Sequence, residues 1–216
     1  ATPADGAVVK MSPFRVDRSR DHGYSTANEI GASRVNIPLA NVPGSTVVLN
    51  EEFLKDVGAL TTNDAFRYVS GVNASNLVYN GQVALRGFQA GDGIGYVDGL
   101  PANISLNGAA MNDFVNIERV EIIKGPNGVL YGSHTPGGVI DMITKTPRFR
   151  PFAELTLVAG SWDLLRESLD VSGPLGNGQK FAYRFVQMEQ SGETYNHGVN
   201  DKRFLAPSFT WAIGGH

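Results

Sequence analysis

The sequence predicts an α+β globule, a mixed β-sheet with short helices, followed by about four antiparallel strands whose pattern fits the wall of a transmembrane β-barrel. Three observations predict it. Up to residue 148, short apolar runs are broken by Gly, Pro, Asn and Asp clusters and by two helix-start signals. After Pro151 the pattern becomes a series of segments, each roughly ten residues long, in which apolar and polar side chains alternate. Gly accounts for 26 and Pro for 11 of the 216 residues, a supply of tight turns that suits short strands better than helix bundles.

Residues 1–46 are short on sustained periodicity, and 1–40 are expected to form a flexible leader. Within it lies one apolar island, Ala7-Val8-Val9-Lys10-Met11. Ser45–Leu49 reads as a strand, and Asn50 as the N-cap of a helix over Glu51–Ala59, with Glu51 and Glu52 placed to complement the helix dipole. Thr62 or Asn63 is expected to cap a second short helix that ends near Val69, with Gly71 just beyond. Gln82–Gly87 and Ile94–Gly99 read as strands separated by the turn Gly91-Asp92-Gly93. Residues 101–114 read as a polar loop. Glu118–Lys124 alternates and stops at Gly125-Pro126, and Gly138–Lys145 is a further strand closed by Thr146-Pro147.

Beyond Pro151, Ala153, Leu155, Leu157 and Ala159 share a face opposite Glu154 and Thr156. Arg166, Ser168, Asp170 and Ser172 then lie opposite Leu165, Leu169 and Val171. Phe181, Tyr183 and Phe185 alternate with Ala182 and Arg184, and Leu205, Phe209, Trp211 and Ile213 with Ala206, Ser208 and Thr210. On pattern alone this is either a membrane wall or a soluble β-meander.

Composition excludes several function classes. A formal net charge of −3 and a pI near 5.8 give no basic field for nucleic acid. With no Cys there is neither a disulfide framework nor a thiolate metal site. No apolar run approaches the ~20 residues of a transmembrane helix, which leaves barrel strands open. No charged-then-apolar signal segment stands at the N-terminus, so any such peptide is expected to have been removed. Gly125-Pro126-Asn127-Gly128 and Gly91–Gly95 lack the Lys-Ser/Thr or the spaced glycines of a nucleotide loop and read as tight turns. Ser133-His134 with Asp141 could suggest a hydrolase, but neighbours on an extended chain point apart and no Gly-x-Ser-x-Gly elbow is present. His22, His134, His197 and His216 have no metal-ligand spacing. Neither an enzyme nor a cofactor is expected.

An ordered series of motifs carries a resemblance. Leu85-Arg86-Gly87-Phe88 is followed by Tyr96-Val97-Asp98-Gly99-Leu100, then by Ile117–Pro126 (IERVEIIKGP) and Val129-Leu130-Tyr131-Gly132. Pro136-Gly137-Gly138-Val139-Ile140 and Thr144-Lys145-Thr146-Pro147 complete it, with Val42-Pro43, Phe53-Leu54, Asp64-Ala65 and Val69–Val72 upstream. In this order they resemble the TonB-dependent outer-membrane receptors, with Asp141 standing where that family usually shows Asn. The resemblance implies a plug domain over 41–148 and the first strands of an outer-membrane barrel over 149–216. Such a barrel has about 22 strands, so the chain is expected to be a fragment or a truncated product.

The resemblance further implies the partners and sites. Ala7, Val8, Val9, Lys10 and Met11 are similar to the TonB box, the strand offered by edge pairing to periplasmic TonB and its inner-membrane energising complex. Arg86 and Lys124 correspond to basic plug residues that latch onto barrel carboxylates. Asn76, Tyr79, Gln89, Asp92, Asn103, Ser105 and Asn107 fall on plug loops where the family binds its ligand. A ferric siderophore is the expected ligand, with cobalamin, haem or a glycan behind it. The setting is the outer membrane, with lipid around the strands and the plug and N-terminus facing the periplasm.

Overall fold

The computed structural model describes residues 23–24, 28–29, 37–38, 45–74, 83–89, 95–102, 113–125, 136–176, 180–194 and 197–212. In the leader, β1 (Asn28–Glu29) pairs antiparallel with β2 (Ile37–Pro38), a pairing the leader's sequence had not suggested. The island Ala7–Met11 lies outside the described residues.

β3 (Ser45–Asn50) runs directly into α1 (Glu51–Asp56). Asn50 ends the strand and starts the helix, because its extended backbone suits both and its Oδ1 accepts the Phe53 N–H at 2.9 Å. α1 closes at Asp56, three residues before the expected Ala59. The cap of α2 (Thr62–Phe66) is Thr61, one residue earlier than expected. Asp64 decides this: its carboxylate accepts from both the Thr61 N–H (3.0 Å) and the Thr61 hydroxyl (2.8 Å), closing a box that neither Thr62 nor Asn63 could form with it. The helix gives way after Phe66 to turns, in which the Tyr68 and Val69 N–H groups reach back to Ala65 and Phe66.

β4 (Val72–Ala74), β5 (Val83–Leu85) and β6 (Phe88–Gln89) form a three-stranded antiparallel sheet. β7 (Gly95–Val97), β8 (Leu100–Pro101), β9 (Ile117–Lys124) and β10 (Gly138–Thr144) join β3 in a mixed sheet of order β3-β9-β10-β7-β8, with β10 and β7 parallel. The expected strands on either side of Gly91–Gly93 thus belong to different sheets. The polar stretch from residue 101 starts inside β8 and ends with Asp113 bridged to Thr61.

β9 alternates in sequence, yet both of its faces are buried: Glu118, Val120 and Ile122 as well as Arg119, Glu121 and Ile123. The charged members are kept inside by pairing, as with Arg119 and Glu121 at 2.6 Å. The main core joins Val120, Ile122, Ile140 and Met142 of the sheet with Leu54, Ala65, Phe66, Val83, Leu85 and Phe114. At about 1.5–3 kcal/mol for each large side chain buried, this cluster supplies the globule's main driving force. Two adjacent close approaches require glycine: a Cβ at Gly137 would run into the Leu85 carbonyl oxygen, and one at Gly138, which sits at φ +129, into the Ile123 carbonyl oxygen of β9.

β11 (Phe152–Ala159), β12 (Leu165–Pro174), β13 (Phe181–Ser191) and β14 (Lys202–Trp211) form a four-stranded antiparallel sheet joined in sequence order. All four alternating segments read from the sequence are strands here. No helix among the described residues is long and apolar enough to cross a membrane.

Candidate functional site at the interface between globule and sheet

The alternation of β11–β14 sorts side chains onto two faces of opposite chemistry. Leu155, Leu157, Leu165, Phe181, Leu205, Phe209 and Trp211 are exposed on one face. Arg166, Asp170, Ser172 and Arg184 are buried on the other. A free-standing soluble sheet would place these the other way round. The polar face is buried because it meets charged groups of the globule.

Two clusters make that contact. Asp113, beside the Thr61 bridge, binds Arg166 of β12 through two parallel bonds of 2.6 and 2.7 Å, and Arg166 also donates to Gln190 of β13 at 3.1 Å. In the second, Asp170 of β12 accepts from Arg184 of β13 at 2.8 and 2.6 Å and from Lys145 at 2.9 Å. Lys145 follows β10 and also lies 3.3 Å from Glu51 of α1. Arg184 donates to the Thr146 carbonyl at 2.9 Å and stands 3.8 Å from Glu118 of β9. Nearer solvent, Lys55 bonds Glu154 at 2.6 Å. The planar guanidinium fork matches the carboxylates of Asp113 and Asp170 at two points each, so the clusters fix orientation as well as charge.

The same seam holds a half-open pocket of about 290 Å³ between α1, the Phe114–Ile117 segment and β11–β12. Its lining is mostly apolar (Leu54, Leu60, Phe114, Val158), and the paired charges Glu51, Lys145, Arg166 and Asp170 stand around it. Among the described residues there is no group of His, Asp or Glu suited to a metal.

The residues singled out from the sequence are placed only in part. Arg86 is exposed, with φ +53, in the turn between β5 and β6, and its guanidinium lies beside Gly125. Lys124 ends β9 and donates to the Ser70 hydroxyl at 3.2 Å. The structure therefore brings Arg86 and Lys124 toward the same end of β9. Gln89 ends β6. Asn76, Tyr79, Asp92, Asn103, Ser105 and Asn107 lie outside the described residues, as do Ser133 and His134. Asp141 is buried in β10 and accepts the Gly99 N–H at 3.1 Å, a structural use of its carboxylate.

Sequence reading missed the seam. It had the polar stripe Arg166-Ser168-Asp170-Ser172 but no partner for it. A charged stripe opposite an apolar stripe is the available signal that something ionic packs there. Asp113 lies 53 residues from Arg166, and nothing local points from one to the other.

Comparison with known proteins follows the same division. Residues 38–139 match the family described as TonB-dependent Receptor Plug Domain. The chain is 32% identical over 194 residues to the metal-pseudopaline receptor CntO of Pseudomonas aeruginosa, covering 88% of this chain and 27% of that protein. It is 31% identical over 188 residues to the ferrichrome outer membrane transporter/phage receptor of Escherichia coli, covering 83% and 25%. Among solved structures, the closed form of the ferric-catecholate import receptor Fiu of E. coli superposes with a TM-score of 0.76 at 28% identity, over 88% of this chain and 27% of that one. The pyoverdine-bound outer membrane receptor FpvA of P. aeruginosa gives 0.74 at 26%, over 88% and 28%. The chain thus spans about a quarter of the length of the curated relatives it matches.

Proposed function

The chain belongs to the TonB-dependent receptors, and on that premise we propose that it is the plug and the opening wall strands of an outer-membrane receptor for a ferric siderophore. The observation that carries this reading is the two-faced sheet. Its outer face is bare and apolar on either side of the Glu167–Glu189–Arg203 row, as lipid contact beside a charged band requires, and its polar face is neutralised by charges from the preceding domain. A sheet in water gains nothing from that arrangement; a wall segment already holding its own plug does. The relatives are named as receptors and transporters of metal–pseudopaline, ferrichrome, ferrioxamine and catecholate siderophores, which supports a ferric chelate over cobalamin, haem or a glycan. None of those names describes an enzyme.

In this reading Ala7–Met11 pairs as an added strand with TonB, driven by the inner-membrane complex. The loops carrying Asn76, Tyr79, Gln89, Asp92, Asn103, Ser105 and Asn107 meet the ligand, and the plug and leader face the periplasm. Arg86 and Lys124 meet carboxylates of wall strands beyond β14. The test is uptake of radiolabelled ferric siderophores (ferrichrome, ferrioxamine B, a catecholate) by cells carrying the full-length receptor. Uptake of one of them is expected, and Val9→Pro should abolish it while leaving ligand binding intact, because proline removes a ladder donor. Normal uptake by Val9→Pro would remove the assignment of the coupling strand. Binding of none of the panel would remove the siderophore.

A further inference from the structure

Among the described residues of the leader, Gly23 and Tyr24 are pinned to the plug. The Gly23 carbonyl accepts from Asn50 Nδ2 at 2.7 Å. Tyr24 donates its hydroxyl to Asp56 Oδ2 at 2.8 Å, and its ring meets Phe53 edge-on at 5.4 Å. Phe53 is itself edge-on to Tyr68 at 5.8 Å, so Tyr24 extends an aromatic row already present on the plug surface. Asn50 serves twice, capping α1 with Oδ1 and holding the leader with Nδ2. Gly23 at φ +57 supplies the left-handed turn at this point, a conformation glycine adopts without strain. The Asp56 carboxylate that accepts the bond pushes the Tyr24 hydroxyl above its ordinary pKa, as a bond to the protonated phenol should.

We propose that Tyr24 is a releasable clasp that parks the leader on α1 and limits how often the leader is free to engage its periplasmic partner. The second half rests on the reading of Ala7–Met11 as the segment that partner takes. The balance of strengths suits a clasp. Tyr24 remains 55% exposed, and among the described residues it holds to α1 by one solvent-edge hydrogen bond and one ring contact. The plug's own attachment to the wall runs through buried charges: Lys145, Asp170 and Arg184 are each at most 8% exposed. Pulled from its N-terminal side, the chain lets go at Tyr24 before α1 moves. A partner that needs the released leader binds with its affinity reduced by the released fraction, so opening the clasp raises apparent affinity.

The experiment uses the full-length receptor in detergent, with nitroxide labels on engineered cysteines at Asp21 and Arg67, and the purified periplasmic domain of TonB as the binding probe. The wild type should give a narrow label–label distance distribution. Tyr24→Ala and Asp56→Ala, which break the clasp from opposite sides, should broaden it, with Tyr24→Phe intermediate because the ring contact survives. Both breaking variants should bind the TonB domain about three- to tenfold more tightly than wild type. Equally broad distributions in wild type and Tyr24→Ala overturn the clasp. A narrow wild-type distribution with equal, measurable TonB affinity in all variants overturns its control of the partner. A narrow distribution with no TonB binding by any variant overturns the coupling reading and leaves the clasp standing.

Discussion

At Asp170 three charged groups meet where water hardly reaches. The carboxylate takes two bonds from Arg184 and one from Lys145, and the three side chains are at most 8% exposed. Charges at such depth persist only when each neutralises another. Removing Asp170 therefore costs more than the bonds it makes, since it leaves two buried cations with only Glu51, 3.3 Å from Lys145, and Glu118, 3.8 Å from Arg184, to balance them. Asp170→Asn in the full-length receptor should lower stability by about 3–5 kcal/mol in urea unfolding, the range for breaking one partner of a buried pair. Asp113→Asn, which strands Arg166 alone, should fall in the same range. Lys55→Ala removes a pair whose side chains are 48% and 31% exposed, and should cost under about 1 kcal/mol. If all three proved equal, burial would not govern these pairs.

At the scale of the element, β11–β14 owe their form to alternation and their position to the partner of each face. β11 pairs with β12 in unbroken register from Phe152↔Ser172 to Ala159↔Leu165, which keeps Leu155 beside Leu169 on the bare face. A row of charge crosses that face where Glu167, Glu189 and Arg203 come into register, with Arg203 donating to Glu189 at 2.8 Å. Leu155 lies on the far side of this row from the Trp162 turn. If the bare face meets hydrocarbon, Leu155→Arg should destabilise the receptor refolded in lipid vesicles by about 2–4 kcal/mol, and Leu155→Phe should be nearly neutral. A soluble meander would tolerate the arginine, since its Leu155 already faces water. A stability unchanged by Leu155→Arg would favour that alternative.

At the scale of the whole molecule, the two hydrophobic clusters among the described residues draw on residues from Val47 to Met142 and on none of β11–β14, so the plug has a core that owes nothing to the wall. Residues 1–148 expressed alone should fold cooperatively, their interface charges Glu51, Asp113, Glu118 and Lys145 simply becoming hydrated. Residues 149–216 expressed alone should aggregate. They have no second layer, their polar face would lose its counter-charges, and the two outer strands would present unpaired edges. Thermal unfolding and amide exchange on the two pieces check this. Strong protection across 165–191 in an isolated, monomeric 149–216 would show that the sheet does not need the plug.

What is local or periodic is legible in one dimension: the Asn50 cap, the strands from Ser45 and Gly138, the four alternating wall segments, and the motif order that marks the family. These rest on neighbours within a few residues or on a period of two. Sequence reading misplaced the second cap because Thr61, Thr62 and Asn63 are all competent, and only the reach of Asp64 separates them. Tertiary structure alone decided that Val83–Leu85 and Gly95–Val97 enter different sheets, that β9 is buried on both faces, and which charge meets which. Asp113 with Arg166 and Lys145 with Asp170 are separated by 53 and 25 residues. A charge attracts any opposite charge, so composition cannot select the partner. Selection comes from the packed sheets and α1, which bring one pair to bonding distance and hold the others apart.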